Sequence, residues 1–129
     1  MSMTILFLVG RVLFGGYFVM NGLNHFMKMG MMKGYASSKG VPMAGWAVAI
    51  TGLMILLGGL GILLGVYIQF SILLLVIFLI FVTLKMHNFW AVTEPNMKMM
   101  EMVNFYKNIA LLGAVLMILF IPTPWFYSI

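Results

Sequence analysis

The stretch ILFLVGRVLFGGYFVMNGLNHF, residues 5–26, decides the fold because it is long and apolar enough to cross a bilayer, which takes roughly 20 residues. Its only residue of fixed charge, Arg11, lies well inside the apolar run. One face of the predicted helix carries five residues at helical spacing: Arg11, Gly15, Phe18, Gly22 and His25. The glycines allow a helix or a ligand to approach closely. We expect Arg11 either to face an anionic ligand, a lipid phosphate or a partner subunit, or to extend toward the outer head groups.

Composition identifies lipid as the solvent of this chain. Of its 129 residues, 64% are hydrophobic and 7% are charged, and the mean hydropathy is +1.16. A soluble domain of this size could not bury so much apolar surface. The absence of cysteine excludes disulfide exchange and cysteine metal sites. The net charge of +5 comes mainly from loop lysines, which indicates membrane topology and lipid contact and not nucleic-acid binding.

The apolar segments predict an all-α membrane protein: a single domain of four transmembrane helices in an up-down-up-down bundle. The spans cover about residues 4–25, 44–65, 68–86 and 103–121. The second span is rich in glycine, which favours a place at the bundle centre, and a short turn at 66–68 joins it to the third. We expect the first loop, with its three lysines, to be irregular and to lie partly on the membrane surface. Trp125 and Tyr127 follow the last span, where interfacial aromatic residues usually lie.

The distribution of lysines predicts the orientation. Three lie in the first loop, and the second loop has Lys85, Lys98 and Lys107, whereas the hairpin turn and the C-terminal tail have none. The excess of positive charge places loops 26–43 and 87–103 in the cytoplasm and both termini outside.

Polar side chains then converge at the cytoplasmic ends of the helices, because both loops lie on that side. The set comprises Asn21, Asn24 and His25 from the first span, Lys85, His87, Asn88 and Trp90 at the end of the third and after it, and Asn104 and Asn108 one turn apart in the fourth. Imidazole and amide groups of this kind can hold the carbonyls of a quinone while apolar walls hold its tail. The alternative is that these residues lie where helices meet water and that the amides join helices.

A metal site is a separate hypothesis. The chain has 15 methionines, and Met27, Met29, Met97 and Met99 lie in or beside the two loops. Thioethers favour Cu(I), although flexible methionines also coat interfacial segments. His25 and His87 with Glu101 are fewer ligands than a tetrahedral site needs, so we predict no metal from them. The sequence shows no catalytic nucleophile, phosphate-binding loop or paired carboxylates.

Several short motifs resemble the DoxX family of small four-helix membrane proteins. They are the run from Arg11 to His25, Pro42, the Gly58-Gly59 pair, His87-Asn88-Phe89-Trp90, and Asn104-Phe105-Tyr106-Lys107-Asn108. The resemblance implies a four-helix bundle in the cytoplasmic (inner) membrane of a prokaryote, associated with quinol oxidase or oxidative-stress complexes. Members of that family often carry a glutamate in the second helix, and the matching position here is Ile55. The resemblance therefore supplies no acidic partner for Arg11.

We predict a non-catalytic accessory subunit of respiratory or redox-stress membrane machinery. It would lie in the lipid bilayer with other membrane subunits or as a homo-oligomer, and bind a quinone or a partner helix. One alternative is a quinone-reactive oxidoreductase subunit in which His25 or His87 exchanges protons with the head group. Another is a small-molecule or copper transporter that uses the methionine-rich loops.

Overall fold

A computed structural model of the chain describes residues 3–128 as a helical bundle. The helices are α1 (Met3–Met27), α2 (Met29–Ser38), α3 (Ala44–Leu64), α4 (Ile68–Met86) and α5 (Pro95–Ile118), with a 3-10 turn at Phe89–Ala91. Four of them, α1, α3, α4 and α5, are long and apolar enough to cross a membrane. The predicted fold class, an all-α membrane protein with four transmembrane helices, is confirmed.

Helix α1 packs against α3 through glycines on both helices. A Cβ atom on Gly15 would lie 2.8 Å from the carbonyl oxygen of Gly59, and one on Gly22 would lie 2.9 Å from that of Gly52. Backbones can approach so closely only where neither helix has a side chain at the crossing. The face that the sequence singled out, from Arg11 to Gly22, is therefore the buried face of α1.

Helix α3 lies centrally, as its small residues predict, and contacts α1, α2 and α4. It ends at Gly65, whose φ of 74° is left-handed and whose N–H donates to the carbonyl of Gly61. The chain then reverses into α4, which contacts α5. The four long helices thus follow the packing order α1, α3, α4, α5, with α1 and α5 at the two ends of the series.

The core lies between these helices. Phe18, Ile55 and Leu75 are almost completely buried. Leu79 of α4 and Val115 of α5 belong to the same apolar cluster. Ile55 is 0% exposed and packs in this apolar cluster. An acid at that position would have to lose its hydration inside the core.

Residues 29–38 form the helix α2, whereas we expected an irregular loop. Gly30 and Gly34 lower the helical propensity of this segment, so its local sequence gives little signal. Long-range packing stabilises it: Ala36 is 5% exposed and belongs to a small apolar cluster with Val41, Ala44, Val48 and Met86.

The last helix begins with a well-formed cap. The Glu94 carboxylate accepts hydrogen bonds from the N–H groups of Asn96 (3.1 Å) and Met97 (2.7 Å), and Pro95 occupies the first helical position. Beyond Ile118 the chain returns to the bundle. Trp125 is 3% exposed and meets Phe7 edge-on, with ring centroids 5.2 Å apart.

Candidate ligand-binding site

A cavity of about 260 Å³ lies inside the bundle, toward the ends of the helices that carry the two long loops. Helices α1 to α5 all contribute to its wall. Its apolar lining includes Phe18, Val48, Phe78, Leu79 and Val82. Tyr17 on α1 and Lys107 on α5, both exposed, also line it and lie against each other, with the Lys107 ammonium 5.9 Å from the ring centroid. Tyr17 and Lys107 thus bring together, at the cavity wall, the two helices that end the packing series.

Most of the residues predicted to form a polar pocket line this cavity. They are Asn21, His25, His87, Asn104 and Asn108. Asn108 is 6% exposed, and within residues 3–128 neither its amide nor that of Asn104 has a hydrogen-bond partner. A buried amide costs free energy unless its hydrogen bonds are satisfied. The side-chain amides of the two asparagines are therefore free to bind a water molecule or a ligand.

The first helix presents a second pair of polar groups to the cavity. The Asn21 amide donates to the carbonyl of Tyr17 at 2.8 Å, which leaves its side-chain oxygen as an acceptor. His25 Nδ1 lies 2.8 Å from the backbone carbonyl oxygen of Asn21. Because a carbonyl oxygen only accepts hydrogen bonds, Nδ1 carries the hydrogen. In the neutral ring Nε2 is then an acceptor. The cavity thus offers both donors and acceptors to a polar head group.

A buried ion cluster lies beside the cavity and is built around Glu101, which is 6% exposed. Its Oε2 atom is 2.8 Å from Lys39 Nζ and accepts from the Tyr35 hydroxyl at 2.5 Å, and its Oε1 atom accepts from His87 Nδ1 at 3.1 Å. Lys39 Nζ also donates to the Asn88 side chain at 3.3 Å. We call Tyr35, Lys39, His87 and Glu101 the Glu101 cluster.

The Glu101 cluster connects α2, the end of α4 and the start of α5. Tyr35 and His87 line the cavity, whereas the carboxylate lies behind them. Burial raises the pKa of the Tyr35 phenol, and the hydrogen bond and negative charge of Glu101 raise it further. Tyr35 is therefore a neutral donor at physiological pH. The cluster holds α2 against the other helices and orients the His87 ring beside the cavity.

Arg11 lies away from this cavity, at the opposite end of α1, and is 3% exposed. It donates to the carbonyls of Ile62 (3.3 Å) and Leu63 (3.0 Å), in the last turn of α3, and to those of Phe126 and Tyr127 in the C-terminal tail. Carbonyls at a helix C-terminus lack intrahelical partners and attract cations. The rings of Phe7 and Trp125 lie 5.6 and 5.5 Å from its guanidinium carbon.

Within residues 3–128, the contacts of Arg11 join α1, α3 and the tail without an acidic side chain. Gly15 and Gly22, predicted with it as part of one binding face, lie against α3. Contact of this face with a ligand or a partner stays a prediction, and it would require the guanidinium to exchange its backbone acceptors.

The other predicted residues lie outside the cavity. Trp90 is 56% exposed and forms an aromatic cluster with Phe89 and Phe105. Met27, Met97 and Met99 are exposed, and Met29 packs beside the small α2 cluster. Among the described residues, no group of three or more His, Asp or Glu side chains is arranged to hold a metal ion. A copper site on methionine stays a prediction.

Sequence reasoning missed Tyr35, Lys39 and Lys107 as site residues and considered Glu101 only as a metal ligand. One signal for Glu101 was present: it is one of only two acids in the chain, and Glu94 is explained as a helix cap. Tyr35 and Lys39 carried no such signal, because their role depends on the position of α2.

Four helices of membrane length, around a mainly apolar cavity with a few polar groups, indicate a small multi-pass membrane protein. The DoxX family model matches residues 6–88, more than half of the chain, and the chain belongs to the DoxX family. The matched region covers most of α1 and all of α2, α3 and α4. No curated protein and no solved structure matches the chain.

Proposed function

We propose that this DoxX protein is a non-catalytic membrane subunit that binds a quinone in the cavity between α1 and α5 and accompanies respiratory or redox-stress machinery. The observation that supports this proposal is the cavity, whose apolar wall contains the side-chain amides of Asn104 and Asn108. Neither amide has a hydrogen-bond partner within residues 3–128. Ligand sites generally combine such a wall with a few convergent polar groups. Under this proposal the partners are other membrane subunits or further copies of the chain.

The dimensions of the cavity favour a head group over a whole molecule. A volume of about 260 Å³ is near the lower end of ligand pockets, so an isoprenoid tail would extend between α1 and α5 into the bilayer. The quinone carbonyls would accept from the asparagine amides, and an oxygen-bound hydrogen of the reduced form would donate to His25 Nε2. Both redox forms therefore find partners.

The same proposal assigns the orientation. The cavity and the Glu101 cluster lie at the ends of the helices that carry the lysine-rich loops 26–43 and 87–103, which we place in the cytoplasm, with both termini outside. We place the chain in the cytoplasmic membrane of a prokaryote.

One observation favours a catalytic alternative, a quinone-reactive oxidoreductase subunit. His87 lines the cavity and donates through Nδ1 to Glu101, so its ring connects the cavity with a titratable cluster. A partner would have to supply the electrons. The test is the rate of proton uptake when a reductant reduces quinone bound to the protein: His87→Gln should slow it, and an unchanged rate would exclude this alternative.

The test of the proposed function is quinone retention in lipid nanodiscs. Native mass spectrometry should find quinone on the purified wild-type protein, together with any associated subunit. Asn108→Ala should weaken quinone binding about tenfold, since about one buried hydrogen bond is lost. Asn96→Ala, at an exposed position of the same helix, is the matched control and should have no effect. A wild-type protein that carries only lipid and binds no added quinone would refute the proposal.

A further inference from the structure

Within residues 3–128, Lys107 has no acidic side chain as a partner. Lys107 lies near the middle of α5 (Pro95–Ile118), and Tyr17, which it contacts, lies near the middle of α1 (Met3–Met27). Both helices are long and apolar enough to span the bilayer. A charged side chain within a membrane span is costly, and it generally marks a functional site where it faces a cavity and not lipid alone.

No acid of the chain is free to pair with Lys107. Glu101 is engaged by Lys39, His87 and Tyr35, and Glu94 caps α5 through two backbone N–H groups. These two are the only acidic side chains in the sequence. Among residues 3–128 the Lys107 ammonium faces the Tyr17 ring, at the outer limit of a cation–π interaction, and its positive charge also acts on His87.

The lining of the cavity also offers Lys107 no acidic partner. Its titratable members are Lys107, His25, His87, Tyr17 and Tyr35, and none is an acid. Asn104 and Asn108 flank Lys107 on α5, line the same cavity, and keep their amide donors unused. An ammonium group with two amide donors beside it is suited to an anion, because each contributes N–H groups and the ammonium supplies the compensating charge.

We infer that the cavity takes single-chain amphiphiles with an anionic head group, a long-chain carboxylate above all, and that Lys107 is the residue that selects the charge. The carboxylate lies between Lys107 and the amides of Asn104 and Asn108. Its alkyl chain leaves between α1 and α5, past Tyr17, into the hydrocarbon of the bilayer. The inference rests on the proposed function only in taking the cavity as a ligand site. It adds a second class of ligand, which is anionic, whereas a quinone is neutral.

The experiment uses the full chain in nanodiscs of zwitterionic lipid and a photoreactive palmitic acid that carries a diazirine on its chain. Illumination should label residues of α1 and α5 around the cavity mouth, and unlabelled palmitate should compete. Hexadecanol and hexadecylamine, which have the same chain with a neutral or a cationic head group, should compete at least about tenfold more weakly.

Three lysine variants separate charge recognition from a general effect on the fold. Lys107→Gln should lower labelling about tenfold, Lys107→Arg should restore most of it, and Lys98→Gln, an exposed lysine on the same helix, should leave it unchanged. Equal competition by hexadecanol, or unchanged labelling of Lys107→Gln, would overturn the inference.

Quinone retention in Lys107→Gln distinguishes the two proposals. A variant that keeps its quinone but loses palmitate labelling supports both. A wild-type protein that retains quinone but shows no charge preference for palmitate overturns this inference alone. A protein labelled by palmitate but without quinone overturns only the choice of quinone in the proposed function.

Discussion

Lys39 Nζ lies 2.8 Å from Glu101 Oε2, so a salt bridge joins the end of α2 to the second turn of α5. The two side chains are 15% and 8% exposed, well below the exposure of a surface ion pair. A sheltered pair of this kind is costly to break, because the remaining charge stays buried without a partner. Electrostatics therefore hold α2 in place together with the small apolar cluster around Ala36.

Removal of the Glu101 charge should destabilise the bundle at α2. We expect Glu101→Gln to lower the free energy of unfolding by about 3 kcal/mol, since Lys39 loses its counter-charge and His87 loses an anionic acceptor. Thermal or denaturant unfolding in detergent micelles measures the change. The double variant Lys39→Met with Glu101→Gln should lose less than the sum of the two single variants. Strictly additive losses would show that these two residues do not interact.

Tyr35 should titrate later than an ordinary tyrosine. Its pKa is raised by burial and by Glu101, so the folded state favours the protonated phenol. This stabilising contribution is complete below pH about 10 and is lost as the pH rises through the folded-state pKa. Ultraviolet absorbance of tyrosinate measures the titration.

The control for this titration is a second tyrosine variant. Tyr35→Phe should remove the most alkaline phase, whereas Tyr67→Phe, which alters a tyrosine that is 83% exposed, should leave that phase in place. A wild-type curve without the alkaline phase that Tyr35→Phe removes would contradict the structure.

Arg11 should hold the C-terminal tail in the bundle. Lysine keeps the charge at this position but has no planar fork for several carbonyls, so Arg11→Lys should release the segment around Trp125 almost as well as Arg11→Leu. Tryptophan fluorescence measures the release of this segment in a Trp46→Phe, Trp90→Phe background, where Trp125 is the only tryptophan. Its emission should shift to longer wavelength in both variants as the ring becomes exposed to water. Unchanged emission in Arg11→Leu would mean that packing against Phe7 suffices without the guanidinium.

The sequence predicts the four long helices because hydropathy and length act locally, span by span. It also predicts that Asn21, His25, His87, Asn104 and Asn108 come together, since alternating helices bring the two long loops to one side of the membrane. These five residues line one cavity in the structure. Their function as a binding site stays a prediction.

Other features depend on contacts between distant parts of the chain, and no local pattern predicts them. The carbonyls that accept from Arg11 belong to residues 62, 63, 126 and 127, and a backbone carbonyl has no sequence signature. Helix α2 depends on Glu101, which lies 66 residues after Tyr35. Lys107 was counted among loop charges, and its contact with Tyr17, which is distant in the sequence, places it beside the cavity.

Two adjacent glycines on α1 offer a matched test of the packing of α1 against α3. A Cβ atom on Gly15 would lie 2.8 Å from the carbonyl oxygen of Gly59 and 2.9 Å from the backbone nitrogen of Leu63, whereas one on Gly16 would have nothing within 4 Å. Backbone atoms cannot move aside as a flexible side chain can, so Gly15→Ala should force the helices apart and cost about 2 kcal/mol of unfolding free energy. Gly16→Ala should be neutral or stabilise slightly, because alanine favours the helix. Unfolding of both variants in the same detergent measures the difference. Equal stability would show that α1 and α3 do not cross at Gly15.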